Sequence, residues 1–115
     1  MTGIEQVREI ALSLPEATEE PHFDMTSFRV KGKIFATVPP DETRLHVFVD
    51  EAAAEASVAE DPAAFELLRW GQRVAGVRAR LDAVDPERVR ELLTDSWRRR
   101  APRRLVAGYD QGRPA

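Results

Sequence analysis

"FRVKGKIFATV", residues 28–38, decides the fold class. Phe28 and Val30 alternate with Arg29 and Lys31, Gly32 interrupts the run between two lysines, and Ile34 to Val38 is β-branched and aromatic. The stretch predicts two short strands joined as a hairpin. Downstream, Pro39, Pro40, Asp41 and Glu42 form a turn cluster, after which Leu45, Val47 and Val49 alternate with Arg44, His46 and Phe48. Three consecutive short strands predict an antiparallel meander. Upstream, the acidic, proline-bounded stretch from Glu16 to Pro21 reads as a connection leading into an edge strand near His22 and Phe23.

Helical signals flank this β region. Thr2 with Glu5 three residues later has the form of a capping box, and Ile4, Val7, Ile10, Ala11 and Leu14 follow on one face until Pro15. Asp50 caps an alanine-rich helix over 51–60 that has no large apolar stripe, which predicts a surface helix. Asp61-Pro62 has the form of a second helix start, predicting a short helix that carries Phe65 and Leu68. Residues 73–84 alternate again as a strand, with Ala75, Val77, Ala79 and Leu81 on its apolar face. Asp85-Pro86-Glu87 then opens a helix striped by Val89, Leu92, Leu93 and Trp97, ending near Arg100 before Pro102. From Ala107 onward the composition predicts a loop-like, flexible tail. The reading is therefore one α+β domain over 1–106, an antiparallel sheet packed against N- and C-terminal helices, with a flexible tail over 107–115.

Composition narrows the function. The chain has 115 residues, 43% hydrophobic and 32% charged, with no cysteine, so disulfides, thiolate catalysis and cysteine-based metal sites are excluded. It has no apolar run near the roughly 20 residues that a bilayer span requires. The expectation is a cytoplasmic monomer that engages no membrane. The net charge of −3 is unevenly spread: residues 1–85 carry nine Lys and Arg against sixteen Asp and Glu, while residues 86–115 carry eight against four. The total is against bulk attraction to nucleic acid, and the basic C-terminal end is in its favour.

No set of residues assembles into catalytic chemistry. His22 and His46 sit on different predicted strands and could meet, with Asp24 as a third ligand, but no spacing such as H-E-x-x-H supports a metal site. Glu19, Glu20 and Asp24 read as a solvated acidic loop. Gly71, Gly76 and Gly108 are too scattered for a phosphate-cradling loop, and Ser13, Ser27, Ser57 and Ser96 lack a nucleophile setting; Ser96 fits as a small residue near a helix end. The expectation is a non-enzymatic protein without a cofactor.

Two basic features remain. Arg29, Lys31 and Lys33 surround one hairpin turn, and Arg98, Arg99, Arg100, Arg103 and Arg104 put five guanidinium groups into seven residues at a helix C-terminus. Both could contact the phosphates of double-stranded DNA. Each also has an innocent explanation: cations at a helix C-terminus complement its dipole, and lysines on an edge discourage strand pairing between molecules. If the hairpin tip and residues 98–104 share one positive face, DNA gains; if acids neutralise them, a protein-interaction or small-ligand module gains.

Three segments, "LPEATEEPHF", "FRVKGKIFATV" and "VDPERVRELLTDSW", resemble in order and spacing the signature segments of the MmcQ/YjbR-like family. The matching positions are Leu14, Pro15 and Ala17, then Lys31 to Ala36, then Ser96 and Trp97. The resemblance implies a CyaY-like α+β fold described as a double-wing DNA-binding motif, and it brings no catalytic or base-reading residues. Trp70, in "LLRWGQRVAGV", departs from the family pattern and reads as core or as a lid on the sheet rather than as a platform for base stacking.

Overall fold

A computed structural model of the chain describes residues 1–112. Its elements run α1 (Ile4–Ser13), β1 (Ala17–His22), β2 (Met25–Val30), β3 (Lys33–Val38), β4 (Arg44–Val47), α2 (Glu51–Glu60), β5 (Phe65–Trp70), β6 (Arg73–Arg80), α3 (Pro86–Arg100) and α4 (Arg103–Asp110). The six strands make one antiparallel sheet in the order β1-β2-β3-β4-β6-β5. The first four strands follow the chain as a meander. After α2, the β5–β6 hairpin returns with β6 against β4, which leaves β1 and β5 as the edges. The α+β class, with the sheet packed against the N- and C-terminal helices, is the one expected.

The β2–β3 hairpin shows how the sequence dictates the sheet. Val30 pairs with Lys33, leaving Lys31 and Gly32 as a two-residue turn. Their φ angles, +51° and +79°, are both positive, as a type I′ turn requires, and such a turn carries the same twist as the strands it joins. Gly32 takes that conformation at no steric cost. Phe28 pairs with Ala36 and Arg29 with Ile34, so Phe35 is an extra, bulged residue. The bulge lets Phe35 and Ala36, neighbours in sequence, both be buried.

The core lies between the sheet and the helices. Val7, Ile10 and Ala11 of α1 meet the Val89, Leu92, Leu93 and Trp97 stripe of α3 above Phe28, Val30, Leu45, Val47, Val77 and Ala79. Each large apolar side chain buried here contributes about 1.5–3 kcal/mol, so burial rather than propensity holds α3 in place. Asp85 Oδ1 accepts from the Arg88 amide at 2.9 Å, and Asp50 Oδ1 from that of Ala53 at 2.8 Å; both predicted caps are present.

Four local expectations are corrected. The acidic stretch after Glu16 is strand, not connection: β1 covers Ala17–His22, and Phe23 and Asp24 form the hairpin turn. An edge strand needs hydrogen bonds on one flank only, which accommodates Pro21 and the exposed charges. The short helix predicted to carry Phe65 and Leu68 is instead β5. The Asp61 carbonyl accepts from the amides of Ala64 and Phe65, giving one turn of cap-like structure, after which pairing with β6 across Gly71-Gln72 takes over. Thr2 does not cap α1. Gly3 is the N-cap, its amide held by Gln6 Oε1 at 2.9 Å, while the buried Thr2 hydroxyl donates to the Val84 carbonyl at 2.8 Å. The tail expected to be loop-like from Ala107 is helical as far as Asp110, because Leu105, Val106 and Tyr109 cover the core and the Tyr109 ring lies 5.2 Å from that of Trp97. The remainder of that expected tail, 113–115, falls outside the described residues.

Candidate functional site

The three sequence signatures meet at one end of the molecule, where they hold the chain together. Trp97 Nε1 donates to the Pro15 carbonyl at 3.0 Å, tying the end of α3 to the corner after α1. The Ser96 hydroxyl is fully buried, donates to the Phe35 carbonyl within β3 and lies 3.1 Å from that of Phe48 just after β4, so one side chain ties α3 to both segments. Lys31 Nζ stands 2.5 Å from Glu16 Oε1, closing the hairpin tip onto the same corner. This contact holds the Glu16 carboxyl below the usual carboxylate range, chiefly through the hydrogen bond from Lys31, and Arg104 adds to it through space. Ser96, taken from the sequence as a small helix-end residue, is a structural clip. Its partners are backbone carbonyls far away in sequence, which no spacing could disclose.

The basic residues divide into two groups. Four of the eight candidates are engaged within the chain. Lys31 pairs with Glu16; Arg98 pairs with Asp110 and lies over the Tyr109 ring at 5.3 Å. Arg99 Nη1 donates to the Phe48 carbonyl at 2.8 Å, and Arg29 Nε donates to Ser27 Oγ at 3.0 Å with its Nη2 reaching the Pro21 carbonyl. Lys33, Arg100, Arg103 and Arg104 make no salt bridge among the described residues. Lys33, from the hairpin, and Arg100, from the end of α3, line one hollow. Two segments far apart in the chain thus bring cations to one place.

That hollow, of about 540 Å³, is lined by His22, Met25, Ile34, Thr37, His46, Phe48, Leu68 and Trp70 as well as by the two cations. Alternation along the pleat explains its membership. Phe28, Ala36 and Leu45 point to the helices, whereas Met25, Ile34, Thr37 and His46 fall on the other sheet face, Thr37 opposite His46 across β3–β4. Trp70, at the tip of the β5–β6 hairpin, is 58% exposed and tilted against Phe48 at 5.4 Å between ring centroids. It forms a wall of the hollow rather than part of the core.

Gly76 makes this wall possible. A Cβ at that position would lie 2.0 Å from the Val47 carbonyl oxygen, so only glycine lets the chain leading from β4 to Phe48 pass so close to β6. The floor is polar at one point. His46 Nε2 accepts from Arg78 Nε at 3.2 Å, and burial, followed by the charge of Arg78, lowers the His46 pKa below its ordinary value. The imidazole is therefore neutral near pH 7, with its proton on Nδ1. Arg78 is itself held by Glu66 Oε1 at 2.8 Å.

His22 and His46 share the hollow, as their strands allowed, but no group of three or more His, Cys, Asp or Glu that could hold a metal ion occurs among the described residues. The sequence reading missed the apolar members Met25, Ile34, Phe48 and Leu68. The sequence patterns put Ile34 and Phe48 on strands, Leu68 on a helix and Met25 on no element; that the four converge on a surface left open by the helices was not legible. No helix of the structure is long and apolar enough to cross a membrane.

Comparison with known proteins agrees with this geometry. No curated protein matches the chain. Among solved structures, the Deinococcus radiodurans protein DR2400, whose domain is described as DUF419, has a similar fold: TM-score 0.73 and 23% identity, with 99% of this chain and 91% of that one covered. The YjbR family model matches residues 12–99. That span takes in the Leu14-Pro15 corner, the Lys31–Ala36 hairpin and the Ser96-Trp97 pair whose side chains clip the fold together, and the chain belongs to the YjbR family.

Proposed function

We propose that the chain is a non-enzymatic, cytoplasmic protein that contacts the phosphates of double-stranded DNA through cations of its β2–β3 hairpin and of the α3–α4 region. The observation that carries this reading is the presence of Lys33 and Arg100 in the lining of one hollow, with Arg103 and Arg104 following within four residues of Arg100. Phosphate contact requires cations whose charge and hydrogen-bond donors are not already committed within the chain, because each contact gains by releasing a condensed counterion from the DNA. The contact set is therefore Lys33, Arg100, Arg103 and Arg104. Arg29, Lys31, Arg98 and Arg99 serve as supports, since each is bonded within the chain.

Fluorescence-polarisation titration of a random duplex at several salt concentrations tests this. Four contacts predict a slope of about −3.6 in log K against log salt, whereas all eight cations would give about −7. A Lys33→Gln/Arg100→Gln double variant should lose affinity and flatten the slope by about 2. Lys31→Gln/Arg98→Gln should leave the slope close to that of the wild type. Absence of binding at low salt, or equal losses in the two double variants, would refute the reading.

A further inference from the structure

The hollow beside Lys33 and Arg100 has features that contact with a duplex leaves unused. A DNA backbone running over the surface needs the two cations; it does not need an apolar concavity of about 540 Å³ beneath them. We infer that this hollow is a binding site for a small organic anion with an aromatic body, whose carboxylate or phosphate group sits between Lys33 and Arg100 and whose ring lies against Phe48 and Trp70.

Size, lining and charge each support it. The volume falls within the range of roughly 300–1,000 Å³ typical of small-molecule sites, and the walls are mainly apolar with a few polar groups, as such sites are. Phe48 and Trp70, tilted at 48°, present an aromatic corner that favours a ring in edge-to-face or offset contact. Trp70 keeps more than half of its surface exposed, an arrangement that costs hydration free energy unless something covers the ring. Met25, Ile34 and Leu68 complete an apolar bed.

At the rim, neither cation has an acidic partner among the described residues, and the Nε–H of Arg100 is buried with no acceptor. Glu16 pairs with Lys31 and Asp110 with Arg98, so neither acid pairs with Lys33 or Arg100. Charge complementarity therefore selects an anion, and the wall selects an aromatic body. His46, neutral and half-buried on the floor, carries no charge that would repel or attract the head group.

The test uses the full chain and 8-anilinonaphthalene-1-sulfonate, an aromatic anion whose emission rises in apolar surroundings. Wild-type protein that shows a cooperative melt should bind it saturably at one site. 2-Naphthoate and 2-naphthyl phosphate should displace it, the better of the two identifying the head group, and neutral 2-naphthol should compete at least about tenfold less well, as expected for loss of a charge-assisted contact. Arg100→Gln and Lys33→Gln should each weaken the probe about tenfold. Ile34→Trp, which fills the bed without changing charge, should abolish probe binding while duplex binding, if present, is retained; that separates this site from the DNA reading. Should Ile34→Trp fail to fold, Met25→Trp makes the same test from the neighbouring strand. No saturable binding to folded wild type, equal competition by 2-naphthol, or unchanged binding in the filled variants would overturn the inference.

Discussion

Replacing Gly76 by alanine isolates the close approach of the β4 exit to β6. The added methyl would stand 2.0 Å from the Val47 carbonyl oxygen and 3.0 Å from both the Val47 carbonyl carbon and the Phe48 Cα. A carbon–oxygen contact normally begins at about 3.3 Å, so β4 and β6 would have to part by about 1.3 Å at this point. The obstacle is backbone, and no change of rotamer can relieve it. Overpacking costs typically about 1–3 kcal/mol, and an unyielding partner places this case near 3 kcal/mol. At about 2.1 cal/mol/K per residue, 115 residues give an unfolding entropy of about 0.24 kcal/mol/K, so the melting temperature should fall by about 12 °C. Gly108→Ala is the matched control. It is a helical glycine in α4 with nothing within 4 Å of an added Cβ, and the same substitution there should add about 0.5–1 kcal/mol, or about 2–4 °C. Thermal melts followed by circular dichroism would read both. A Gly76→Ala variant melting within about 2 °C of wild type would refute the claimed approach of the two strands.

Two further outcomes follow from polar groups at least half withdrawn from water. Trp97→Phe removes the donor to the buried Pro15 carbonyl and should cost about 1–3 kcal/mol in urea unfolding; a loss below about 0.5 kcal/mol would mean that the clip contributes little. The pKa of His46 is lowered in the folded state, so as pH falls below the ordinary value of about 6.5 the unfolded chain takes up a proton that the folded one resists. The contribution is complete above that pH and is lost as pH falls towards the folded pKa. His46→Gln should therefore remove part of the stability difference between about pH 7.5 and about pH 5.5, and an identical difference in the two proteins would contradict the assignment.

Much of the fold was legible because local chemistry and tertiary demand agree over most of the chain. The Lys31-Gly32 turn, the Asp50 and Asp85 caps and the Val89–Trp97 stripe each specify their element alone, and each is present. The failures share a cause. β1 and β5 are the two edges of the sheet, and the signals written in their sequences, acidic residues with Pro21 in one and Asp61-Pro62 in the other, were local preferences overridden by pairing to a neighbour. The final helix was missed for a related reason: Gly108 argues against it locally, whereas coverage of Trp97 by Tyr109 favours it through a contact between segments.

The candidate site divides in the same way. The sequence alone identified a basic hairpin, an arginine-rich helix end and the family signatures, because charge, turn chemistry and residue order are properties of the chain itself. Which of those cations is free, that Lys33 and Arg100 line one hollow, that Ser96 and Trp97 clip distant carbonyls, and that the hollow has an aromatic wall were decided only by tertiary structure. The physical reason is that neutralisation and concavity are relations between segments: Glu16 reaches Lys31 across the corner after α1, and Phe48 reaches Trp70 only because Gly76 lets two strands come together.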